Sequence, residues 1–235
     1  MDKRSCMQCT EIHQADIIVA FYRQLADRLG DRGIAIFRKA SEIYGENRGR
    51  RMALKVLRDG NALDFDSYFA YGELICQPEL NIDEVTAEPG LVKEVALRCP
   101  WSEEFLAKNS KDCGNTYCRL IDTALVRGFN PALRIEVLRN MHDEGRCVFL
   151  YRDSAIHEGT LDAQERLFGS GQNEKRPMEV HCAELYHIYC NTVEMTLGED
   201  ASTVIEGARA FLSDMYGQEF LDSMDSYAGF DFSQI

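Results

Sequence analysis

The chain has 235 residues, 45% of them hydrophobic, enough to bury a substantial core as one large domain or two small ones. Its formal net charge of -13 excludes the basic surface that nucleic acid or an anionic membrane would require. The best apolar run, ADIIVAFY from residue 15, has eight residues and cannot span a bilayer, and the N-terminus lacks a signal-peptide layout, so a soluble cytoplasmic protein is expected.

Residues 11 to 30 read as a helix stopping at Leu29-Gly30, with Ile17, Ile18, Phe21, Leu25 and Leu29 in one stripe. A second helix is expected from about Ile34 to Leu57, with Ile36, Phe37, Ala40, Ile43 and Tyr44 inward. Its middle, ENRGRRMALK, is a cationic patch that reads first as a solvated face and second as an anion site. Asp64 is placed to cap a third helix through FDSYFAYGELI.

The texture changes after Pro78. Pro89-Gly90 separates two stretches suited to strands, and residues 91 to 99 alternate. Leu91, Val95, Leu97 and Cys99 fall on one face, Glu94 and Arg98 on the other. The pair reads as a hairpin ended by Pro100, after which WSEEFLAK begins a helix with Ser102 as its expected N-cap. NTYCRLIDTALVRGFNP (115–131) then reads as one helix that sets Cys118 and Asp122 a turn apart on the same face.

LRIEVLRN (133–140) and RCVFLYRD (146–153) form a second expected hairpin about the polar turn MHDEG, with Cys147, Phe149 and Tyr151 sharing a face. GSGQNEKRP reads as a mobile linker. A long helix from Met178 carries His181, Cys182, Tyr186, His187 and Cys190. ASTVIEGARAFLSDMYG and QEFLDSMDSY supply two more helices.

The expected class is α+β: an N-terminal helical layer, a four-stranded antiparallel sheet of two hairpins with inserted helices, and C-terminal helices. Residues 1–78 form the helical region. Residues 79–235 form the sheet with its helices, packed with the first region as one unit.

Nine cysteines are an odd number, and without an export signal they read as reduced thiols, most of them small buried hydrophobes. Cys118 is the candidate nucleophile. A carboxylate one turn away raises a thiol pKa by charge repulsion, so the Cys118–Asp122 pair needs a further partner, and His181 is the candidate base. Cys147 and Cys99 read as packing. Cys6, Cys9 and His13 invite a metal reading, but no fourth ligand is evident nearby, and no metal is assigned. No phosphate loop, dinucleotide fingerprint, H-E-x-x-H or G-x-S-x-G is present, which removes the usual support for kinase, dehydrogenase, zincin and serine hydrolase readings.

RCPW (98–101), YCRLIDTALVRGFNP (117–131) and GRCVFLYRD (145–153) resemble the L-2-amino-thiazoline-4-carboxylic acid hydrolase family. YGENRGRRMA, HCAELYHIYC and MYGQEF fit the same resemblance, which extends over most of residues 35 to 225. It implies a cofactor-free hydrolase that opens a small cyclic amidine or isothiourea to an N-carbamoyl amino acid. In that chemistry Cys118 matches the nucleophile and His181 the proton shuttle, while Asp122 would hold the cationic amidine. Cys147, Phe149 and Tyr151 would line the pocket, with Asn130 a further substrate-binding residue. The substrate carboxylate would need a cation from Arg48, Arg50, Arg51, Arg98 or Arg152. A small molecule is the expected partner, and a homo-oligomer is compatible with the sequence. The competing class is a non-enzymatic binding or sensing module built on the same Cys and aromatic wall.

Overall fold

The computed structural model describes residues 8–74, 76, 79–162 and 175–234, and they divide into two compact units built from interleaved segments. The linker expected over GSGQNEKRP and the boundary expected at residue 78 fall largely or wholly outside the described residues. No described helix is long and apolar enough to cross a membrane.

The first unit (residues 1–43, 100–117 and 177–232) is helical. Helix α1 (Glu11–Leu29) buries Ile17, Ile18, Phe21 and Leu25 completely, so the stripe read from spacing is the packed face, with Leu29 half-buried at its end. Helix α2 (Asp31–Arg58) supplies residues to this unit up to Ile43 and to the second unit from Tyr44 onward. In the first unit Tyr189 stacks between Phe21 and Phe37, at 5.0 and 5.4 Å between ring centroids, and shares a 2.7 Å hydrogen bond with Ser41.

The second unit (44–99, 118–176 and 233–235) holds the sheet. Asp64 accepts from the Ser67 N–H at 2.9 Å and caps helix α3 (Phe65–Ala70), which ends before residue 71 rather than running to residue 75. Strands β1 (Ile82–Glu88) and β2 (Leu91–Arg98) meet about Pro89-Gly90, where Gly90 takes φ +80°, a conformation glycine adopts without strain.

Helix α4 (Pro100–Ala107) starts on Pro100, whose missing N–H is one of the unpaired donors of a first turn, so Ser102 is an interior, buried residue and not the cap. The single helix expected over 115–129 is two: α5 (Lys111–Cys118) and α6 (Ile121–Phe129), broken at Arg119 and Leu120. Leu120 has φ -111° and ψ -41°, enough to interrupt the ladder although neither Pro nor Gly marks the place. Cys118 therefore closes one helix while Asp122 opens the next.

Strand β3 (Arg134–Arg139), the short helix α7 (Met141–Glu144) and β4 (Cys147–Arg152) complete the sheet. Its order is β1-β2-β4-β3, all neighbours antiparallel, giving the α+β architecture expected. Beyond it, α8 (Met178–Leu197), a 3-10 turn, α9 (Ala201–Tyr216) and α10 (Gln218–Asp225) follow the three helical stretches read from the sequence.

Cross-strand pairs Val92–Tyr151, Glu94–Phe149 and Ala96–Cys147 set the buried face of the sheet. The alternation over 91–98 is real, but the face of Glu94 turns inward, and Leu97 is 43% exposed. Phe65 and Phe69 pack edge-on to Tyr151 at 5.3 and 5.1 Å, and Tyr68 meets Phe129 at 5.5 Å. Each such aromatic pair adds about 0.5–1.5 kcal/mol beyond its area burial.

Helix α2 lies hard against α6. A Cβ added at Gly45 would stand 2.8 Å from that of Ala124, and one at Gly49 would stand 2.0 Å from the Leu125 carbonyl oxygen. No residue but glycine fits. This approach carries the ENRGRRMALK segment inward, where Arg48, Arg51 and Lys55 are buried about Glu73. The segment is a buried ion cluster, not a solvated face, because the glycines bring its backbone too close to α6 for the side chains to stay in water.

Candidate functional site

Residues of α2, α3, α6 and α7 meet the buried face of β2 and β4 in the second unit. Helix α7 is fixed at its start by Asn140, whose side-chain oxygen accepts from the N–H groups of His142 and Asp143 at 3.0 and 3.1 Å. An ion pair between Arg119 and Asp143 ties the segment after α5 to the same turn. The result is that the Nε2 atom of buried His142 lies 3.7 Å from the Sγ of half-buried Cys118. The imidazole beside Cys118 thus comes from the MHDEG turn. His181, the base expected from the sequence, is fully buried on α8 in the first unit.

Cys147 follows on β4. Burial pushes its thiol up to about 11, against a hydrogen bond from the Met141 N–H, and nearby Asp122, Glu94 and Asp83 add to the rise. A thiol held so firmly protonated is a poor nucleophile.

Two carboxyls share this neighbourhood. Asp122 is half-buried, and loss of water pushes it up to about 6, opposed by the Arg48 guanidinium and a backbone hydrogen bond. Glu94 accepts from the Tyr151 hydroxyl at 2.8 Å. Burial pushes it up to about 7 despite that bond, with Asp83 and Asp122 adding repulsion. Burial also raises the phenols of Tyr68 and Tyr151, both of which feel Asp122 and Glu94. Carboxyls that titrate near neutrality and sense each other are the arrangement from which acid and base roles are drawn.

The remaining expected residues fall as follows. Phe149 and Tyr151 lie on the inner face beside Cys147, 6.5 Å apart between centroids. Asn130 ends α6, and its amide is engaged locally, donating to the Leu63 carbonyl at 2.7 Å and accepting from the Ala132 N–H at 3.0 Å. Cys6 lies outside the described residues. Cys9 is buried beside Cys182, and His13 accepts from the Thr10 N–H at 3.1 Å while stacking on Tyr216.

His142, Glu94 and Tyr68 are not among the site residues expected from the sequence. His142 had a local signal, an asparagine two residues earlier able to cap a short helix. Glu94 had one too, lying on the strand face shared with Val92 and Ala96.

The chain matches no curated protein and no solved structure significantly. It does match a protein-family model, L-2-amino-thiazoline-4-carboxylic acid hydrolase, over residues 10–151. That span contains the second helix, strands β1 to β3, β4 as far as Tyr151, and the Cys118, Asp122 and His142 positions, and it covers more than half of the sequence. The chain belongs to the L-2-amino-thiazoline-4-carboxylic acid hydrolase family.

Proposed function

We propose that this protein hydrolyses a small cyclic isothiourea or amidine, with L-2-amino-thiazoline-4-carboxylate as the reference substrate and N-carbamoyl-cysteine as the product. One observation carries the reading: the 3.7 Å approach of the Cys118 thiol to the His142 imidazole, a nucleophile beside its proton acceptor. The family name supports the reaction class.

In this reading His142 takes the thiol proton and the thiolate adds to the ring carbon between sulfur and the two nitrogens. The ring carbon–sulfur bond then breaks, and the departing sulfur is protonated. The opened substrate stays attached to Cys118 through that carbon. Water next adds to the same carbon, giving a proton to the carboxylate that protonated the departing sulfur, and the Cys118 sulfur leaves as thiol with the proton held on His142. One water is consumed, and nothing is oxidised or reduced. Asp122 supplies a carboxylate for the cationic amidine. Glu94, titrating near neutrality, is a ready proton donor for the departing sulfur.

The test is direct. The full chain is incubated with the thiazoline carboxylate, and N-carbamoyl-cysteine is followed by chromatography with mass detection. A rapid acid quench should also trap an adduct of the full substrate mass on the peptide bearing Cys118. Unchanged substrate after prolonged incubation would contradict the reading.

A further inference from the structure

The sheet has a second face, turned away from Cys147 and Tyr151, and the strand register dictates what stands on it. Residues directly opposite each other in an antiparallel sheet share a face. Three rows therefore cross the outer side: Glu88–Leu91–Arg152–Arg134, Thr86–Lys93–Leu150–Glu136 and Glu84–Val95–Val148–Arg139. The middle of this face is apolar. Leu91, Val95 and Leu150 are half-buried, Val148 keeps 9% exposure, and Leu97 further along β2 keeps 43%. The two margins are exposed and opposite in sign. Glu84 and Glu88 stand along β1, whereas Arg134 and Arg139 stand along β3 with Arg152 beside them. Arg152 pairs with Glu136 at 2.7 Å, and Arg139 pairs with Glu144. Glu88 and Arg134 make no ion pair with any described residue.

We propose that a second copy of this chain docks on this face, sheet on sheet, about a two-fold axis parallel to the strands. A net charge of -13 makes two copies repel over most of their surface. The outer face escapes that repulsion, because Lys93, Arg134, Arg139 and Arg152 offset Glu84, Glu88 and Glu136. The placement of the signs also selects the axis. A two-fold axis across the strands would lay the acidic β1 margin on its own copy. An axis along the strands lays β1 of one protomer over β3 of its partner instead. Glu88 then faces the partner's Arg134 and Glu84 the partner's Arg139, and symmetry makes each contact twice. Between these margins Val95 meets the partner's Val148, burying apolar surface that the single chain leaves to water. Sheets stacked in this aligned way keep their strands within about 30° of each other. The inner face with Cys147 and Tyr151 points away, so docking leaves the candidate site as it is and does not depend on the hydrolase reading.

Light scattering after size-exclusion chromatography reads the mass of the purified full chain from about 10 to about 500 µM. The wild type should rise with concentration from 26.7 kDa toward twice that mass. Glu88→Arg and Arg134→Glu each place like charges at two symmetric contacts and should raise the dimer Kd by about 10- to 100-fold. An equimolar mixture of the two variants should dimerise again, because each altered charge then meets its opposite on the other chain. A chain carrying both changes should do so alone. A wild-type mass that stays at 26.7 kDa, single variants that associate like the wild type, or a mixture no heavier than its components overturns the proposal. Should either single variant lose its circular dichroism spectrum, salt decides. The wild-type Kd should then rise at least about fivefold between about 50 and about 500 mM sodium chloride, and an unchanged Kd overturns the proposal.

Discussion

The Cys118 sulfur stands 3.7 Å from Nε2 of His142, across a sequence separation of 24 residues. Cys118 closes α5, and His142 is the second residue of a helix of only four residues. Neither element would hold its side chain there alone. The Asn140 cap fixes the start of α7, and the Arg119–Asp143 ion pair ties the two segments together.

If His142 is the proton acceptor, His142→Gln should lower kcat by about 10²- to 10⁴-fold while the fold persists. The sharper readout is chemical. In the wild-type chain Cys118 should be alkylated by iodoacetamide well before Cys113, Cys147, Cys182 and Cys190, whose thiols burial pushes upward. In His142→Gln that lead should shrink. Peptide mass mapping over time measures both, and equal labelling of all five thiols would contradict the pairing.

Glu94 gives a signed dependence of stability on pH. Folding raises its carboxyl from 4.5 to about 7, so the folded chain binds the proton more tightly than the unfolded one. Stability linked to Glu94 is fully present below 4.5 and is lost as pH rises to about 7. Glu94→Gln keeps an acceptor for the Tyr151 hydroxyl and cannot ionise. It should match the wild type near pH 4 and exceed it at pH 8, by roughly 1–3 kcal/mol in urea denaturation. A variant less stable than wild type at pH 8 would contradict the burial argument. A residual slope below about pH 6 should remain, owing to Asp122.

Asn140→Ala removes the acceptor for two N–H groups at the start of α7. The expected loss is about 1 kcal/mol of stability, with a larger fall in kcat than in 1/KM because His142 loses its anchor while substrate-holding groups remain. Thermal denaturation and steady-state kinetics read the two effects separately. A fall confined to stability would show that α7 is held by its other contacts.

Gly49→Ala should be among the most damaging changes of a single methyl group. The new Cβ would stand 2.0 Å from the Leu125 carbonyl oxygen and 2.6 Å from the Phe129 nitrogen, both backbone atoms unable to move alone. A cost of about 2–4 kcal/mol is expected, together with loss of activity as α6, which carries Asp122, is pushed away from α2. Gly60→Ala is the comparison for conformational strain without crowding, since φ there is +77° and nothing lies within 4 Å. Chemical denaturation of the two variants should rank Gly49→Ala well below Gly60→Ala.

The elements were legible where local physics decides them. The stripe of Ile17, Ile18, Phe21 and Leu25, the Asp64 cap, the Pro89-Gly90 turn and the alternation of Cys147, Phe149 and Tyr151 all carry their meaning within a few residues. The break at Leu120 carried no such mark, because it depends on what the two helix ends pack against. Glu94 was set on the right strand face, but which face is buried is decided by α3 and α6 above the sheet, not by the strand. The cationic patch reads as solvated for the same reason, since only the contact between Gly49 and α6 turns Arg48 and Arg51 inward. Cys118, Asp122 and Cys147 could be picked by residue type. For His142 the Asn140 cap marks only a short helix, and its approach to Cys118 across 24 residues is a tertiary fact.

The measurement that bears most directly on the central claim is the rate of N-carbamoyl-cysteine formation from L-2-amino-thiazoline-4-carboxylate by Cys118→Ala, compared with the wild-type chain at equal folded concentration. Loss of the nucleophile should lower kcat by at least about 10³-fold, with the circular dichroism spectrum unchanged. Turnover within a few-fold of wild type would show that Cys118 is not the attacking group.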